Sequence, residues 1–160
     1  MGVAGSGKTT VAKLFAKKTG AIFYEGDDFH PQENVAKMRA GIPLTDADRK
    51  KWLKTLKKIV VNALVREEFS VLTCSALKAK YRATLAAGDA RVKFVHLTGP
   101  PDLIEERLKS RRGHFMPPAL LASQLAILEP SADALTFSCK KTPKKIVAEL
   151  IQTLGIAVSD

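Results

Sequence analysis

Gly2, Val3, Ala4, Gly5, Ser6, Gly7, Lys8 and Thr9 satisfy the pattern G-x-x-x-x-G-K-[ST] without a mismatch, and an amphipathic segment follows at once. Glycines at these places let a loop turn its backbone N–H groups inward around phosphate oxygens, in conformations closed to residues with a Cβ. A lysine in the position of Lys8 reaches β- and γ-phosphates, and a hydroxyl in the position of Thr9 can hold Mg²⁺. Thr10 completes the expected nucleotide-binding set. The chemistry implied is binding of a nucleoside triphosphate. The motif alone does not separate a kinase from a GTPase or a motor ATPase.

Two further groups of residues narrow the choice. Glu25, Gly26, Asp27, Asp28, Phe29, His30 and Pro31 follow a short strand-like run, so their carboxylates fall at the carboxyl end of a strand, where open parallel sheets bind ligands. An acid there can orient or deprotonate a hydroxyl that attacks a γ-phosphate. Asp27 is expected to do so, and Asp28 to cap the helix that starts near Pro31. Arg107, Arg111, Arg112, Gly113, His114 and Phe115 precede Pro117 and Pro118. Arginines on a glycine-containing connection suit a lid, spanning about 107–118, that closes over the triphosphate and stabilises the transferred phosphoryl group. A solvated helix end also carries arginines.

These residues need a scaffold, and the rest of the sequence supplies one. Helix-like and strand-like segments alternate almost to the end, the pattern of an α/β domain whose parallel sheet is flanked by helices. Val11, Leu14 and Phe15 share a helix face; Ala21 to Tyr24 is a strand; Pro31 to Ala40 reads as helix. Thr45 and Asp48 form a capping box for a long amphipathic helix over Asp46 to Glu67. Val71 to Cys74 and Val92 to Leu97 suit buried parallel strands, and Leu135 to Ser138 is a weaker candidate. Thr142, Pro143 and Gly155 mark the two ends of a last helix. One P-loop domain over residues 1–160 accounts for the whole sequence.

Composition bounds the partners. The 160 residues hold 26 Lys+Arg against 16 Asp+Glu, a formal charge of +10 that attracts polyanions. Lys50, Lys51, Lys54, Lys57 and Lys58, however, fall opposite an apolar stripe of Trp52, Leu53 and Leu56, as on a solvated helix face. No aromatic residues are interleaved with them for bases to stack on, so a nucleic-acid partner is not expected, although a basic binding module remains the non-enzyme alternative. Nor is a membrane, since no apolar run approaches the roughly 20 residues of a bilayer span. Cys74 and Cys139 are too few for a disulfide framework, and a cytoplasmic location is expected.

The blocks GVAGSGKT (Gly2 to Thr9), GDDFHP (Gly26 to Pro31), PLTDADRKKWL (Pro43 to Leu53), CSALKAKYR (Cys74 to Arg82) and RRGHFMPPALLASQLAILEP (Arg111 to Pro130) together resemble the gluconokinase family, in its order and spacing. The resemblance implies the nucleoside-monophosphate-kinase fold and transfer of the ATP γ-phosphate to the 6-hydroxyl of D-gluconate. It implies that Lys8 and Thr9 serve ATP and Mg²⁺, that Asp27 meets the sugar hydroxyl, and that Arg111 acts from the lid; Arg107, with Arg111, is expected at the nucleotide from its place among the lid arginines. His30, Arg49, Lys78, Arg82 and His114 become candidates for the gluconate chain and carboxylate. Lys78 and Arg82, four apart, are expected on one helix face. His96 lies inside a strand and is read as a packed histidine. A kinase for another small polyol acid such as shikimate is the alternative, and a homodimer is compatible with the reading.

Two features depart from the family. Leu125 stands where phenylalanine is common, a change packing can absorb. Only Met1 precedes Gly2, so the strand that feeds a P-loop is expected to be missing from the sheet, as in a shortened form of a longer protein with little activity. The alternative is that the Leu135–Ser138 strand fills the gap.

Overall fold

The computed structural model describes residues 1–110 and 118–156. Four short parallel strands and seven α-helices alternate: α1 (Lys8–Thr19), β1 (Ile22–Glu25), a 3₁₀ turn (Gly26–Phe29), α2 (Gln32–Arg39), α3 (Asp46–Val65), β2 (Ser70–Thr73), α4 (Ala79–Ala86), β3 (Val95–Thr98), α5 (Pro101–Ser110), a 3₁₀ turn (Pro118–Leu120), α6 (Leu121–Ala126), β4 (Leu135–Ser138) and α7 (Pro143–Leu154). The α/β class and the parallel sheet are as expected. β3 begins three residues later than the β-branched run suggested, because Val92 and Lys93 lie in the connection that follows α4.

Strand alternation sorts the core onto the two faces of the sheet. Val71, Val95 and Leu97 point to one face, where they meet Val11 and Phe15 of α1 and Ile146, Val147 and Leu150 of α7. Leu72 and Phe94 point to the other, against Trp52, Leu53 and Leu56 of α3 and Tyr81 and Leu85 of α4. Leu56 and Val147 are wholly buried, each contributing about 1.5–3 kcal/mol of apolar transfer. The lysines of α3 remain exposed, on the side away from the core.

Helix ends follow the local sequence. Thr45 and Asp48 form the reciprocal capping box that starts α3. Thr142 caps α7 through Lys145 N–H, and Gly155 closes it in the left-handed region. Asp28 does not cap α2 as expected. Pro31 holds the N-cap position without a side-chain cap, because residues 26–29 wind into a 3₁₀ turn that carries Asp28 out to solvent.

β1 pairs with β2, and β3 with β4, in parallel register, but β2 and β3 do not pair. Among the described residues, Met1 alone stands between them. Its carbonyl accepts from Leu97 N–H at 3.0 Å and its amino group donates to Val95 O, while Gly2 N–H donates to Ser75 O at 3.1 Å. β4 lies on the far side of β3 and does not fill the gap. Among the described residues the sheet is therefore in two halves, as expected.

Gly26 follows β1 directly and lies against Thr73 of β2. A Cβ on it would lie 2.0 Å from Thr73 O, closer than any packing tolerates, while its N–H donates to Thr73 Oγ1 and its carbonyl accepts from Trp52 Nε1 at 2.8 Å. Gly26→Ala is expected to destabilise the protein by about 1–3 kcal/mol or more, the range for overpacking, as read from the urea midpoint at unchanged m-value.

Candidate functional site

The P-loop leads into α1 with Gly7 as a left-handed N-cap, no side-chain cap and no acidic residue in the first turn. The first N–H groups of α1 therefore present a positive end to the cleft above them, the arrangement that favours a phosphate. Lys8 Nζ donates to Val3 O at 3.0 Å, folding back along the loop. Ser6 is 1% exposed, and among the described residues its Oγ is the buried side-chain polar atom without a hydrogen-bond partner. A buried, unsatisfied hydroxyl beside an uncapped helix start fits a polar, anionic ligand group.

Residues 4–11 line a cleft of about 320 Å³ whose other walls include Asp27, His30, Arg49, Trp52, Ser75, Arg107, Gln124 and Lys141. Asp27 sits on the 3₁₀ turn after β1, half-buried and facing this cleft, whereas Asp28 is exposed and does not line it. Arg49 is buried. Its Nη1 donates to Leu44 O, and its guanidinium lies 5.8 Å from the Tyr81 ring centroid. Arg107, near the end of α5, donates to Cys139 O at 2.9 Å. The P-loop, Asp27, His30, Arg49 and Arg107 thus share one cavity.

Other expected residues stand elsewhere. Arg82 is 7% exposed, and its guanidinium is shared among the carbonyl oxygens of Ala76, Leu77, Glu129 and Pro130 at 2.7–3.3 Å. It fastens the turn before α4 to the segment after α6 and does not line the cleft. Lys78 and Arg82 do not share a helix face, because Lys78 is the N-cap of α4, outside the helix. Lys78 Nζ pairs with Asp46 at 2.9 Å, alongside Lys80 and the Tyr81 hydroxyl on the same carboxylate, which holds the Asp46 carboxyl well below the usual range. Arg111 and His114 lie outside the described residues.

The structure also shows contacts that sequence reading missed. Thr9 Oγ1 donates to Glu25 Oε2 at 2.7 Å, and Thr73 Oγ1 donates to the other Glu25 oxygen. A hydroxyl that donates its proton to a carboxylate keeps its lone pairs for a hard cation, and carboxylate and hydroxyl oxygens suit Mg²⁺. The donor set fits that metal. Gln124 of α6 accepts from Ala4 N–H at 2.7 Å, tying that helix to the P-loop. Glu25 could have been singled out as the last residue of a strand at the ligand-facing edge. Gln124 carries no signal beyond being polar on an otherwise apolar helix.

His30 stacks on Trp52 with ring centroids 4.1 Å apart and planes within 12°. Burial, assisted by the Arg49 charge, lowers its pKa to about 4. The folded protein therefore binds fewer protons here than the unfolded chain, whose histidine titrates near 6.5. Stability from this group is complete above pH 6.5 and is lost as pH falls towards 4. His30→Gln is expected to flatten the pH dependence of the denaturation midpoint across that window, and an unchanged slope in the variant would show that His30 does not supply it.

The shikimate kinase family model matches residues 4–155. A gluconokinase of Gluconobacter oxydans is 45% identical over 155 residues, covering 95% of this chain and 87% of that protein. The thermoresistant gluconokinase of Escherichia coli is 40% identical, covering 96% and 90%. Among solved structures, an unliganded sugar kinase from Janibacter superposes with a TM-score of 0.90 at 44% identity, covering 98% of this chain and 92% of that one. A gluconokinase from Sinorhizobium meliloti superposes at 0.81 with 38% identity, covering 97% and 93%. A shikimate kinase from Bacteroides thetaiotaomicron, at 19% identity and 0.71, shares the fold. With the P-loop cleft in place and relatives of this identity over most of its length, the chain belongs to the gluconokinase family of P-loop kinases.

Proposed function

We propose that this protein transfers the γ-phosphoryl group of ATP to the 6-hydroxyl of D-gluconate. The observation that carries the reading is the meeting of the P-loop, Asp27, His30 and Arg49 in one cleft of a chain 40–45% identical to gluconokinases. Lys8 and the first N–H groups of α1 bind and orient the triphosphate. Asp27 accepts the hydroxyl proton as the sugar oxygen bonds to the γ-phosphorus and the bond to the β,γ-bridging oxygen breaks, releasing ADP. Thr9, held by Glu25, is the residue that would hold Mg²⁺, which would supply positive charge to offset that of the triphosphate. His30 and Arg49 orient the polyol and its carboxylate, Arg49 as a cation already fixed by its backbone bonds. Arg107 from α5, and Arg111 and His114 by sequence position, supply the lid side.

The match to the shikimate kinase family model keeps a shikimate-like acid as the second reading. Coupled ADP release over a panel of gluconate, shikimate and other sugar acids separates the two. Gluconate is expected to give the highest kcat/KM. Turnover of gluconate no better than that of shikimate overturns the assignment.

A further inference from the structure

We propose that Asn34 is a positioning residue for the acceptor side of the cleft: it fixes His30 as the tautomer protonated at Nε2, so that this ring donates a hydrogen bond to an oxygen of the polyol acid and takes no proton from it. The identity of the acceptor rests on the functional reading above; the tautomer does not. Asn34 lies on α2 and is 4% exposed. Its backbone N–H donates to Pro31 O at 3.0 Å, and its side-chain Nδ2 donates at 2.9 Å to the carbonyl oxygen of Asp48, in the first turn of α3. A carbonyl oxygen can only accept, so this contact decides which end of the Asn34 amide is the nitrogen. The same Nδ2 stands 3.4 Å from Nδ1 of His30, a long hydrogen bond. An amide nitrogen can only donate. Nδ1 is therefore the bare, accepting nitrogen of a neutral ring, and the ring proton sits on Nε2. Asn34 has two N–H groups, one for each partner.

The rest of the surroundings hold the ring in this arrangement. Trp52 lies flat against it at 4.1 Å, and the His30 backbone N–H is bonded to Asp27 O at 3.3 Å. Burial, assisted by the Arg49 charge, keeps the imidazole neutral at pH 7, the state in which a tautomer is defined. Among the described residues no group bonds to Nε2, and the ring lines the same cleft as Asp27 and Arg49. The cleft thus receives a neutral donor alongside one anionic acceptor and one cationic donor. A ring with its bare nitrogen turned to α2 has no place for the proton of an attacking hydroxyl, which leaves that proton to Asp27. Aspartate at position 34 has no N–H to offer, and its carboxylate would draw the ring proton to Nδ1.

Long-range proton–nitrogen NMR correlation of the ¹⁵N-labelled protein at neutral pH tests the tautomer, with the His30 signals identified by their loss in His30→Gln. The wild type is expected to show a protonated Nε2 and a bare Nδ1, and Asn34→Asp to show a proton on Nδ1. The kinetic arm uses Asn34→Leu, alone and combined with His30→Gln, and the acid that gives the highest kcat/KM in the substrate panel. Asn34→Leu is expected to raise KM for that acid by about 10-fold, the loss of one hydrogen bond, with the Kd for ATP unchanged. In the His30→Gln background the same substitution should raise KM by no more than about 2-fold, because its effect passes through the ring. A wild-type ring protonated at Nδ1 would overturn the proposal, and that spectrum needs no variant to fold. So would an unchanged tautomer in Asn34→Asp, or an equal rise in KM with and without His30, which marks a merely structural role. The spectra need no substrate, so a gluconate assignment that fails leaves the tautomer result standing.

Discussion

Replacing Asp27 by asparagine is expected to lower gluconate turnover by about 10²- to 10⁴-fold, the range for loss of a general base, with ATP affinity changed by no more than a few fold. The asymmetry follows from where the residue sits. Asp27 stands on the 3₁₀ turn after β1 and lines the same cleft as the P-loop glycines, and the proposed mechanism gives its side chain to the acceptor and not to the nucleotide. The backbone of that turn is fixed independently of the carboxylate, through Gly26 N–H to Thr73, Gly26 O from Trp52, and His30 N–H to Asp27 O at 3.3 Å. Asparagine keeps the shape and removes the proton acceptor. Loss confined to kcat, with the nucleotide Kd unchanged by calorimetry, is the expected signature. Near wild-type turnover by the variant would remove Asp27 from the mechanism.

Lys8→Ala is expected to fail differently, in both nucleotide binding and turnover. The lysine ammonium is part of the pocket's own wall, bonded to Val3 O at the base of the loop. On the proposed mechanism it would contribute before and during transfer, when charge builds on the β,γ-bridging oxygen. Removing one such donor costs about 10²- to 10³-fold in kcat, and the weaker triphosphate contact should raise the Kd for ATP as well. The thermal midpoint should stay close to wild type, because Lys8 is partly exposed and belongs to no apolar cluster. A variant that binds ATP normally and loses only kcat would show that the loop backbone, not the ammonium, holds the ground state.

How much of this was legible beforehand differs from residue to residue. The P-loop was, since its glycines and lysine sit in one local stretch whose conformation the chain itself dictates. So were the ends of α3 and α7, where Thr45, Asp48, Thr142 and Gly155 act within a turn of themselves. Asp27 and Asp28 could be separated only by guesswork about capping, because the 3₁₀ turn that distinguishes them is set by the close approach of Gly26 to β2. The family motif around Lys78 and Arg82 suggested ligand-facing cations. Tertiary structure instead gives the Arg82 guanidinium to four carbonyl oxygens and Lys78 to Asp46, partners 32 to 48 residues away in several cases. The Thr9–Glu25 bond was hidden for the same reason: spacing along a chain says little about which side chains meet across two elements.

Trp52 is the single tryptophan of the sequence, and its place has a spectroscopic consequence. Its indole is 1% exposed, lies flat against the His30 ring and bonds to the carbonyl immediately before Asp27. Excited at wavelengths that tyrosine does not absorb, the protein therefore emits from one fluorophore, which the proposed mechanism places on the acceptor side of the cleft. A neutral imidazole leaves an excited indole largely alone, whereas an imidazolium accepts its electron and quenches it. Titrating emission with acid should read the protonation of His30 directly, with a midpoint near 4. At neutral pH the same signal should respond to a sugar acid settling beside Asp27, giving a label-free binding curve in an enzyme that needs no engineered probe.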